Sequence, residues 1–266
     1  MSIHPFQVEQ YKKARREGGT SPATVNRDVA CLKNMMNKAV DWSYLQVNPI
    51  AKVKLLHEDN EKMWVLSQEE EVKLLDECDK IRQPERYLRD LVEFALYSGM
   101  RQAEIFGIRR VNVHLKENYL LATDTKTHQD RPVPVNETMR EILERRMERP
   151  GSDFVFCNHK GERLSQLSGG FYSARRKAGL IRWDGGNEIR FRFHDLRHTF
   201  GSRLGMNGVD LKTIMEIMGH KTAKVAMRYQ HPSPSHKLEA VKGLDKIRGT
   251  SSQKIVAINK TRSSPG

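Results

Sequence analysis

The N-terminal part of the chain contains two stretches in which apolar residues recur at steps of three and four positions, the period of an α-helix. In the longer stretch, Ser21 and Pro22 have the residue types preferred at a helix cap and at the first helical position. The apolar positions after them are Val25, Val29, Leu32, Met36, Ala39 and Val40. This spacing predicts a helix with one apolar face that runs to about Trp42. A shorter amphipathic helix is predicted from Pro5 to Arg16, ahead of a Gly18-Gly19 break.

The charged segment from His57 to Lys62 has no apolar periodicity, and we interpret it as a linker. After it, Ser67 and Glu70 have the spacing of a capping box, which predicts a helix start. The next helix is predicted from Pro84 to Ser98 and to end at Gly99, because glycine readily adopts the left-handed conformation that closes many helices. The region that follows the predicted linker therefore begins with helices.

The pattern changes between Val111 and Val135, where short runs of β-forming residues alternate with charged turns and predict a small antiparallel sheet. Further helices are predicted over residues 102–106, 136–149, 165–178, 194–205, 210–218 and 222–229, and a short strand over Phe154–Phe156. We therefore predict a mostly α fold of the α+β class, a helical domain with a small antiparallel β-sheet. The Ser-, Thr- and Lys-rich residues 246–266 predict a disordered tail.

The net charge of the chain indicates what kind of partner it binds. The 266 residues include 46 Lys and Arg against 33 Asp and Glu, which gives a formal net charge of +13 and favours a polyanionic partner. The mean hydropathy is −0.67, and no apolar run approaches the ~18 residues of a membrane span, so we predict no membrane association. The N-terminus lacks the apolar core of a signal peptide, and we expect a cytoplasmic protein.

The three cysteines, Cys31, Cys78 and Cys157, are too widely spaced for a metal-binding knuckle. Their odd number cannot form a fully paired disulfide framework. We expect reduced, buried thiols at these positions.

Three separated segments carry groups that bind phosphate or transfer protons, and the first contains Arg101 and Glu104. Arg101 follows the glycine predicted to end a helix, and Glu104 lies three residues further along the next one. A buried glutamate at this spacing would hold the guanidinium rigidly for a planar oxyanion. The alternative is a solvated salt bridge, which is the common state of an arginine in a highly charged protein.

The second segment contains His194 and Arg197, which lie three residues apart on a predicted helix and so share one face. His194 and His198 also have the i, i+4 spacing of the two histidines in zinc-peptidase helices. Asp195 replaces the glutamate of that motif, and Arg197 would bring a positive charge beside a cation. We therefore expect no metal and interpret His198 as a hydrogen-bonded core histidine.

The third segment runs from His220 to Tyr229. Tyr229 alone is most simply explained as a packed aromatic residue with a solvated hydroxyl. Together with His220, which follows a glycine one short helix earlier, it places an acid-base group near a potential nucleophile.

These segments, in order, resemble a known family. The matching motifs are SGMRQAEI around Arg101, TKTHQDRPVPV around Lys126, HDLRHTF around His194 and Arg197, and MGHKTAKVAMRY from His220 to Tyr229. They resemble the tyrosine recombinases, also called phage integrases, whose catalytic domain has the order Arg, Lys, His-x-x-Arg, His, Tyr. The resemblance covers residues 64–244.

The resemblance also implies a domain organisation. Thr24-Val-Asn-Arg27 and Asn48-Pro49 are similar to the second half of the family's helical core-binding domain. We therefore interpret residues 1–56 as a partial core-binding segment that binds DNA, and residues 57–63 as a linker. Residues 64–245 are then the catalytic domain, followed by the tail over 246–266.

The resemblance implies a site-specific DNA recombinase that cuts and rejoins strands through a 3′-phosphotyrosine, as type IB topoisomerases do, without ATP, metal or cofactor. The implied roles are phosphate neutralisation by Arg101 and Arg197, general acid for Lys126, base for His194, phosphate hydrogen bonding for His220 and nucleophile for Tyr229. Bidentate guanidinium contacts suit the charge that develops on the phosphate oxygens.

The implied partners are double-stranded DNA and further copies of the chain, as a homo-tetramer in a DNA synapse and a monomer without DNA. Association with the nucleoid in the cytoplasm follows from this. Two alternatives remain open at this point: a DNA-binding protein without chemistry, and an enzyme that only relaxes supercoils.

Overall fold

The computed structural model describes residues 3–58, 63–81, 87–123, 130–148, 151–184, 186–229 and 241–242. The chain separates into two compact units, Met1–Lys62 and Met63–Gly266. The predicted linker over residues 57–63 falls at this division, and its residues 59–62 lie outside the described residues, as does the predicted tail over 246–266.

The first unit contains the two predicted helices, α1 (Pro5–Glu17) and α2 (Pro22–Asp41). The hydroxyl of Ser21 accepts a hydrogen bond from the Thr24 amide at 3.3 Å, so the predicted cap is confirmed. The small core of the unit consists of Val8, Val25, Val29, Ile50 and Val53. The buried Asn26 holds the end of this unit in place at Leu56. Its side chain donates a hydrogen bond to the Leu56 carbonyl at 2.9 Å and accepts one from the Leu56 amide at 2.7 Å.

The second unit is mainly helical. Its described helices are α3 (Gln68–Asp79), α4 (Leu88–Ser98), α5 (Gln102–Phe106), α6 (Glu137–Met147), α7 (Gly169–Lys177), α8 (Phe193–Met206), α9 (Leu211–Met218) and α10 (Ala223–Ala226). The capping box of Ser67 and Glu70 forms as predicted. Gly99 ends α4 with φ of +60°, and a Cβ at this position would lie 2.2 Å from Cδ1 of Phe200 on α8. Only glycine fits this turn.

The predicted sheet is present as three antiparallel strands in the order β1 (Val113–His114), β2 (Tyr119–Ala122) and β3 (Arg131–Pro134). Leu120 pairs with Val133, and both side chains are buried on the face that packs against the helices. Ala122 pairs with Arg131 at the far end of the β2–β3 ladder. The predicted α+β class is therefore confirmed.

Two hydrophobic clusters organise the second unit. The larger one contains the fully buried rings of Phe94, Phe156, Phe171 and Phe191. The smaller one consists of Ile214, Met218, Ala226 and Tyr229, and joins α9 to α10 and the 3₁₀ turn Met227–Tyr229. The candidate tyrosine is thus part of a packed cluster.

Three sequence predictions about local structure are wrong. Phe154–Phe156 is not a strand: Phe154 forms one bridge with Arg109, and Val155 and Phe156 are both buried instead of alternating. The helix predicted from residue 165 begins at Gly169, and Ser168 before it has an extended backbone conformation. Cys31 is exposed and Cys157 is partly exposed, whereas Cys78 is buried as expected, and the described cysteines are free.

The structure also contains a hairpin that we did not predict, formed by β4 (Ile181–Asp184) and β5 (Asn187–Arg190). Asp184 pairs with Asn187, and Gly186 between them has φ of +81°. An Asp-Gly-Gly-Asn sequence between β-forming residues is a hairpin signal, so this element was readable from the sequence. Among the described residues, no helix is long and apolar enough to cross a membrane.

Candidate active site

Arg101 enters the site at the start of α5, immediately after the turn at Gly99 that ends α4. Its Nη1 donates to Oε1 of Glu104 at 2.7 Å, and its backbone amide donates to Oε2 at 2.9 Å. Glu104 is buried, whereas 30% of the Arg101 side chain remains exposed. Of the two alternatives, the structure shows the buried carboxylate and not the solvated salt bridge, and it leaves part of the guanidinium open to a ligand.

Arg131 is a second cation on the same carboxylate, and sequence reasoning did not single it out. Its Nη2 donates to Oε2 of Glu104 at 2.9 Å, and its Nη1 donates to the carbonyl of Ile217. Burial alone would raise the pKa of Glu104, but Arg131 and Arg101 lower it below its ordinary value. Glu104 is therefore ionised at neutral pH and stabilises two guanidinium groups.

Arg197 lies on α8 with its guanidinium buried. Nη1 donates to the carbonyl of Gly99 at 2.5 Å, and Nη2 contacts both the carbonyl of Met218 and Nε2 of His220, the latter at 2.8 Å. Burial and the nearby Arg101 lower the pKa of Arg197 to about 10, so the group still carries its charge at neutral pH. The α8 helix thus places the charged guanidinium of Arg197 beside the turn that precedes Arg101.

The C-terminal end of α9 is where the three arginines meet. Its last carbonyls lack partners within the helix, as at every helix end, and each accepts a hydrogen bond from a different guanidinium. The acceptors are Ile217, Met218 and Gly219, and the donors in the same order are Arg131, Arg197 and Arg101, the last at 3.0 Å. Backbone atoms of one helix end therefore align cations from three separate elements.

His220 follows Gly219, which has φ of +64° and closes α9. Because a guanidinium can only donate, the Nε2 of His220 accepts from Arg197, and the proton of the neutral ring is on Nδ1. Burial and the surrounding arginines, Arg197 first, lower the pKa of His220 to about 3. Nδ1 has no hydrogen-bond partner among the described residues, so it remains a donor for a further group.

Tyr229 lies in the 3₁₀ turn after α10, and its ring stacks on His220 with centroids 5.9 Å apart and planes 15° apart. A Cβ at Gly201 of α8 would lie 3.0 Å from Cδ1 of Tyr229, so the ring packs directly against the backbone of that helix. Burial raises the pKa of Tyr229, and Arg197 offsets part of this effect. The phenol is therefore protonated at neutral pH.

His198 makes the hydrogen bond to this phenol: its Nδ1 lies 2.9 Å from Oη of Tyr229. The prediction of a hydrogen-bonded core histidine is confirmed, with an unexpected partner. Burial, and next the nearby His194, lower the pKa of His198 to about 4. His194 itself is exposed and packs edge-on against His198, with ring centroids 4.8 Å apart and planes 89° apart.

The structure therefore brings four of the predicted site residues together, namely Arg101, Arg197, His220 and Tyr229. His194 lies beside them, but the ring of His198 lies between it and the phenol of Tyr229. Lys126 lies outside the described residues, in the segment between β2 and β3. Within the described part of the chain, no group of three His, Cys, Asp or Glu side chains is arranged to hold a metal ion.

Residues 64–236, which contain all of these positions, match the phage integrase family. The chain belongs to this family. It is similar to the integrase of Escherichia phage 186, with 28% identity over 236 residues that cover 88% of this chain and 63% of the relative. For the integrase of Haemophilus phage HP1, the identity is 29% over 87% of this chain and 65% of the relative. The chain thus spans less than two thirds of the length of these integrases.

The tyrosine recombinase XerD of Listeria monocytogenes is 27% identical over 81% of this chain and 74% of its own length. Among solved structures, the fold is similar to that of the Tn1549 transposon integrase in complex with a circular intermediate DNA, with a TM-score of 0.74, 19% identity and coverage of 91% and 86% of the two chains. A lambda integrase dimer bound to a COC′ core site gives a TM-score of 0.71 at 20% identity over 84% of this chain and 81% of that one. This integrase-family chain therefore shares the fold of these proteins.

Sequence reasoning missed the positions of Arg131 and His198 in this integrase-family site. Arg131 lies in the quoted motif TKTHQDRPVPV, but nothing in its spacing points to a carboxylate 27 positions earlier. His198 was predicted to be a hydrogen-bonded core histidine four residues after His194, but its partner was not predicted. Its place opposite a buried tyrosine becomes visible only when α8 and the 3₁₀ turn are packed together.

Proposed function

We propose that this protein is a site-specific DNA recombinase of the integrase type, which cuts and rejoins DNA strands through a 3′-phosphotyrosine intermediate. The observation that carries the proposal is the convergence of two fixed guanidinium groups, a neutral histidine and a buried tyrosine at the end of α9. The names of the relatives, integrase and tyrosine recombinase, support the same reaction class. The net charge of +13 supports a polyanionic substrate.

In this proposal, Arg101 and Arg197 bind the non-bridging oxygens of the phosphate to be cut. A guanidinium has five N–H donors, and the described contacts use two of those of Arg101, to Glu104 and Gly219. The remaining donors of this partly exposed group are available for an oxyanion. Because both guanidinium groups are held in place before DNA binds, charge that develops in the transition state is stabilised without reorganisation.

Tyr229 is the proposed nucleophile, and His220 donates its remaining N–H to the phosphate. The oxygen of Tyr229 attacks phosphorus, the bond to the 5′ oxygen breaks, and the DNA is left joined to the enzyme. The bond energy is retained in the phosphotyrosine, so a second 5′ hydroxyl can reverse the step without ATP. The reaction needs a base for the phenol, for which the family resemblance implies His194, and an acid for the leaving oxygen.

Lys126 is the proposed general acid. A substrate with sulfur in place of the 5′ bridging oxygen tests this role, because a thiolate leaves without being protonated. Lys126→Ala should cleave ordinary DNA slowly and recover on the sulfur substrate, whereas Arg197→Ala should remain slow on both. Equal defects of Lys126→Ala on the two substrates would assign Lys126 to positioning, and recovery of Lys116→Ala instead would assign the acid to Lys116.

Double-stranded DNA is the proposed partner, contacted by the catalytic unit and by the helical segment over residues 1–56, with the site of action in the cytoplasm at the nucleoid. A homo-tetramer in the synapse is proposed, in line with the fold similarity to a lambda integrase tetramer bound to a Holliday junction, at 19% identity and a TM-score of 0.71. No metal or other cofactor takes part in the proposed reaction.

The experiment that tests the proposal uses a pool of nicked duplexes whose central base pairs are randomised. Cleavage near a nick releases a short strand, so the covalent complex cannot be resealed. Wild-type protein should form an adduct that survives a denaturing gel, and sequencing of the attached DNA identifies the preferred site. Tyr229→Phe should form no adduct and bind the same DNA within a few-fold, because the hydroxyl supplies little of the contact area.

Binding without any adduct from the wild-type protein would favour the alternative, a DNA-binding protein without chemistry. An adduct that persists in Tyr229→Phe would mean that another residue attacks, with Tyr172 and Tyr119 the next to substitute. Relaxed circles without recombinant product, from plasmids that carry two copies of the selected site, would restrict the function to DNA relaxation.

A further inference from the structure

The hydroxyl of Tyr229 has a direct partner that the resemblance does not assign. Nδ1 of His198 lies 2.9 Å from the phenol oxygen, and the two rings are tilted by 42° with centroids 6.0 Å apart. Both residues are buried, with 8% of His198 and 3% of Tyr229 exposed. The contact is therefore shielded from bulk water, which would otherwise compete for the hydroxyl.

His194, the base implied by the resemblance, occupies a different place. No hydrogen bond joins His194 to Tyr229 in the described part of the chain. The ring of His194 instead contacts the ring of His198, which lies between His194 and the phenol. Both histidines lie on α8, one turn apart, so the helix presents His198 to the phenol and His194 to the more exposed edge. A general base must lie within hydrogen-bond reach of the proton that it removes, directly or through one water, and His198 meets this condition without any rearrangement.

His198 is uncharged before DNA binds. Burial lowers the pKa of His198, His194 and Arg228 lower it further, and Asp195 acts in the opposite direction. A neutral imidazole has one nitrogen with a free lone pair. If that nitrogen is Nδ1, His198 accepts the hydrogen bond from Tyr229, and the phenol keeps its proton until an anionic phosphate enters the cationic site and stabilises an imidazolium nearby.

We propose that His198, rather than His194, accepts the phenolic proton of Tyr229 during strand cleavage. This inference rests on the proposed function. As the bond from Oη of Tyr229 to phosphorus forms, the O–H proton moves to Nδ1 of His198. The bond from phosphorus to the 5′ oxygen breaks, and that oxygen takes a proton from a separate acid. In the rejoining step, His198 returns its proton to the departing phenol oxygen.

The test changes the acidity of the nucleophile. Fluorine substituents lower the pKa of a phenol, so 3,5-difluorotyrosine at position 229 loses its proton more readily than tyrosine and depends less on a base. Asparagine at position 198 keeps a short polar side chain but cannot take up the proton. The measurement is the single-turnover rate of adduct formation on the duplex selected from the randomised pool, with and without His198→Asn in each background.

We expect His198→Asn to slow cleavage by about 10²–10⁴-fold with ordinary tyrosine, the usual contribution of a general base. In the difluorotyrosine background, the same substitution should cost less than about tenfold. His194→Ala is the matched control and should show the same defect in both backgrounds, because it does not handle the proton.

Equal defects of His198→Asn in the two backgrounds would overturn the proposal and leave His198 as a residue that positions Tyr229 by donating from Nδ1. Relief of the His194→Ala defect by fluorination would instead assign the base to His194. Melting temperature and binding to the same duplex show whether each variant is folded, and His198→Gln replaces His198→Asn if the latter is not. Absence of any Tyr229-dependent adduct from the wild-type protein would contradict the proposed function itself and is seen before either variant is made.

Discussion

The site has two halves that are held in different ways. The arginine half consists of Arg101, Glu104, Arg131 and Arg197 on the carbonyls that end α9, and the tyrosine half consists of His198, Gly201, His220 and Tyr229. In the arginine half, each guanidinium makes at least two hydrogen bonds to the protein, and at least one of them is to a group distant in the sequence. In the tyrosine half, the described contacts of the phenol are one hydrogen bond and the packing of rings on a helix backbone.

The difference shows how one half controls the other. The arginine half keeps its charges, because a buried carboxylate and helix-end carbonyls balance them. These same charges, together with burial, keep His220 uncharged. The cationic half thus keeps His220 uncharged, whereas burial keeps the phenol of Tyr229 protonated and the arginines act against it. Substitutions in the two halves should therefore have different consequences.

Apart from the substitutions of Tyr229 and His198 described above, the largest effect is expected from Arg197→Ala, which should lower the cleavage rate by about 10²–10³-fold, as for loss of one oxyanion donor. It should also lower the melting temperature, because the carbonyls of Gly99 and Met218 lose their donor. Arg101→Ala should reduce cleavage to a similar degree with less loss of stability, since Arg101 is partly exposed. Single-turnover cleavage and thermal unfolding of both variants test this. Equal losses of stability would contradict the distinction between a buried anchor and an open binding group.

The next effect is expected in the tyrosine half from Gly201→Ala. The added methyl group would lie 2.9 Å from Sδ of Met218 and 3.0 Å from Cδ1 of Tyr229. Displacement of the ring by a few tenths of an ångström to an ångström should slow cleavage by about 10–100-fold, with DNA binding within a few-fold of wild type. Gly169→Ala, where a Cβ meets nothing within 4 Å, is the matched control and should leave the rate unchanged. A normal rate in Gly201→Ala would show that the ring position is adaptable.

A smaller effect on cleavage, about tenfold, is expected from Arg131→Ala. Its loss removes one of the two cations on Glu104 and the donor to the Ile217 carbonyl, while Arg101 still pairs with the carboxylate. Unsatisfied buried groups should lower the free energy of unfolding by about 1–3 kcal/mol. Urea unfolding and cleavage assays measure both, with Arg190→Ala, at an exposed ion pair with Glu188, as the control. An unchanged cleavage rate and an unchanged free energy of unfolding in Arg131→Ala would mean that Arg131 does not contribute to the alignment of the arginine half.

The smallest effect concerns stability and pH. The folded pKa of His198 is about 4, below the value near 6.5 of an unfolded chain. Below pH 6.5 the unfolded state therefore binds a proton that the folded state does not, and stability is lost as the pH falls towards 4. His198→Asn removes this dependence, so its free energy of unfolding should fall by about 2 kcal/mol less than that of wild type between pH 7 and pH 5. Urea titrations of wild type and His198→Asn at pH 7 and pH 5 measure this difference. The exposed His159 provides the control His159→Asn, and equal losses in His198→Asn and wild type would refute the assigned pKa.

Features encoded by neighbouring residues could be predicted from the sequence. The caps at Ser21 and Ser67 and the stop at Gly99 each depend on one or two side chains and the local backbone. The order of the site residues was likewise available from the motif resemblance. The pairing of Arg101 with Glu104 was predictable because three residues on a helix fix the distance between them.

Features that arise from packing between distant segments could not be predicted. The contact of His198 with Tyr229 depends on the end of α10 changing into a 3₁₀ turn, whereas periodicity predicted one continuous helix over 222–229. The attachment of Arg131 to Glu104 depends on the register of β3 and the position of α5. Neither a hydrophobic pattern nor residue spacing contains that information.

The end of α9 has a consequence for how the sequence of this site can change over time. Its three acceptors are main-chain carbonyls, so side-chain substitutions along α9 leave them in place as long as the helix forms. A single-residue insertion or deletion is different, because it rotates everything beyond it by about 100° around the helix axis. Such a change would turn the carbonyls away from all three arginines at once. Homologues should therefore vary in composition at the exposed positions of residues 211–218, retain apolar residues at the buried positions of Ile214 and Met218, and keep the length of this helix fixed.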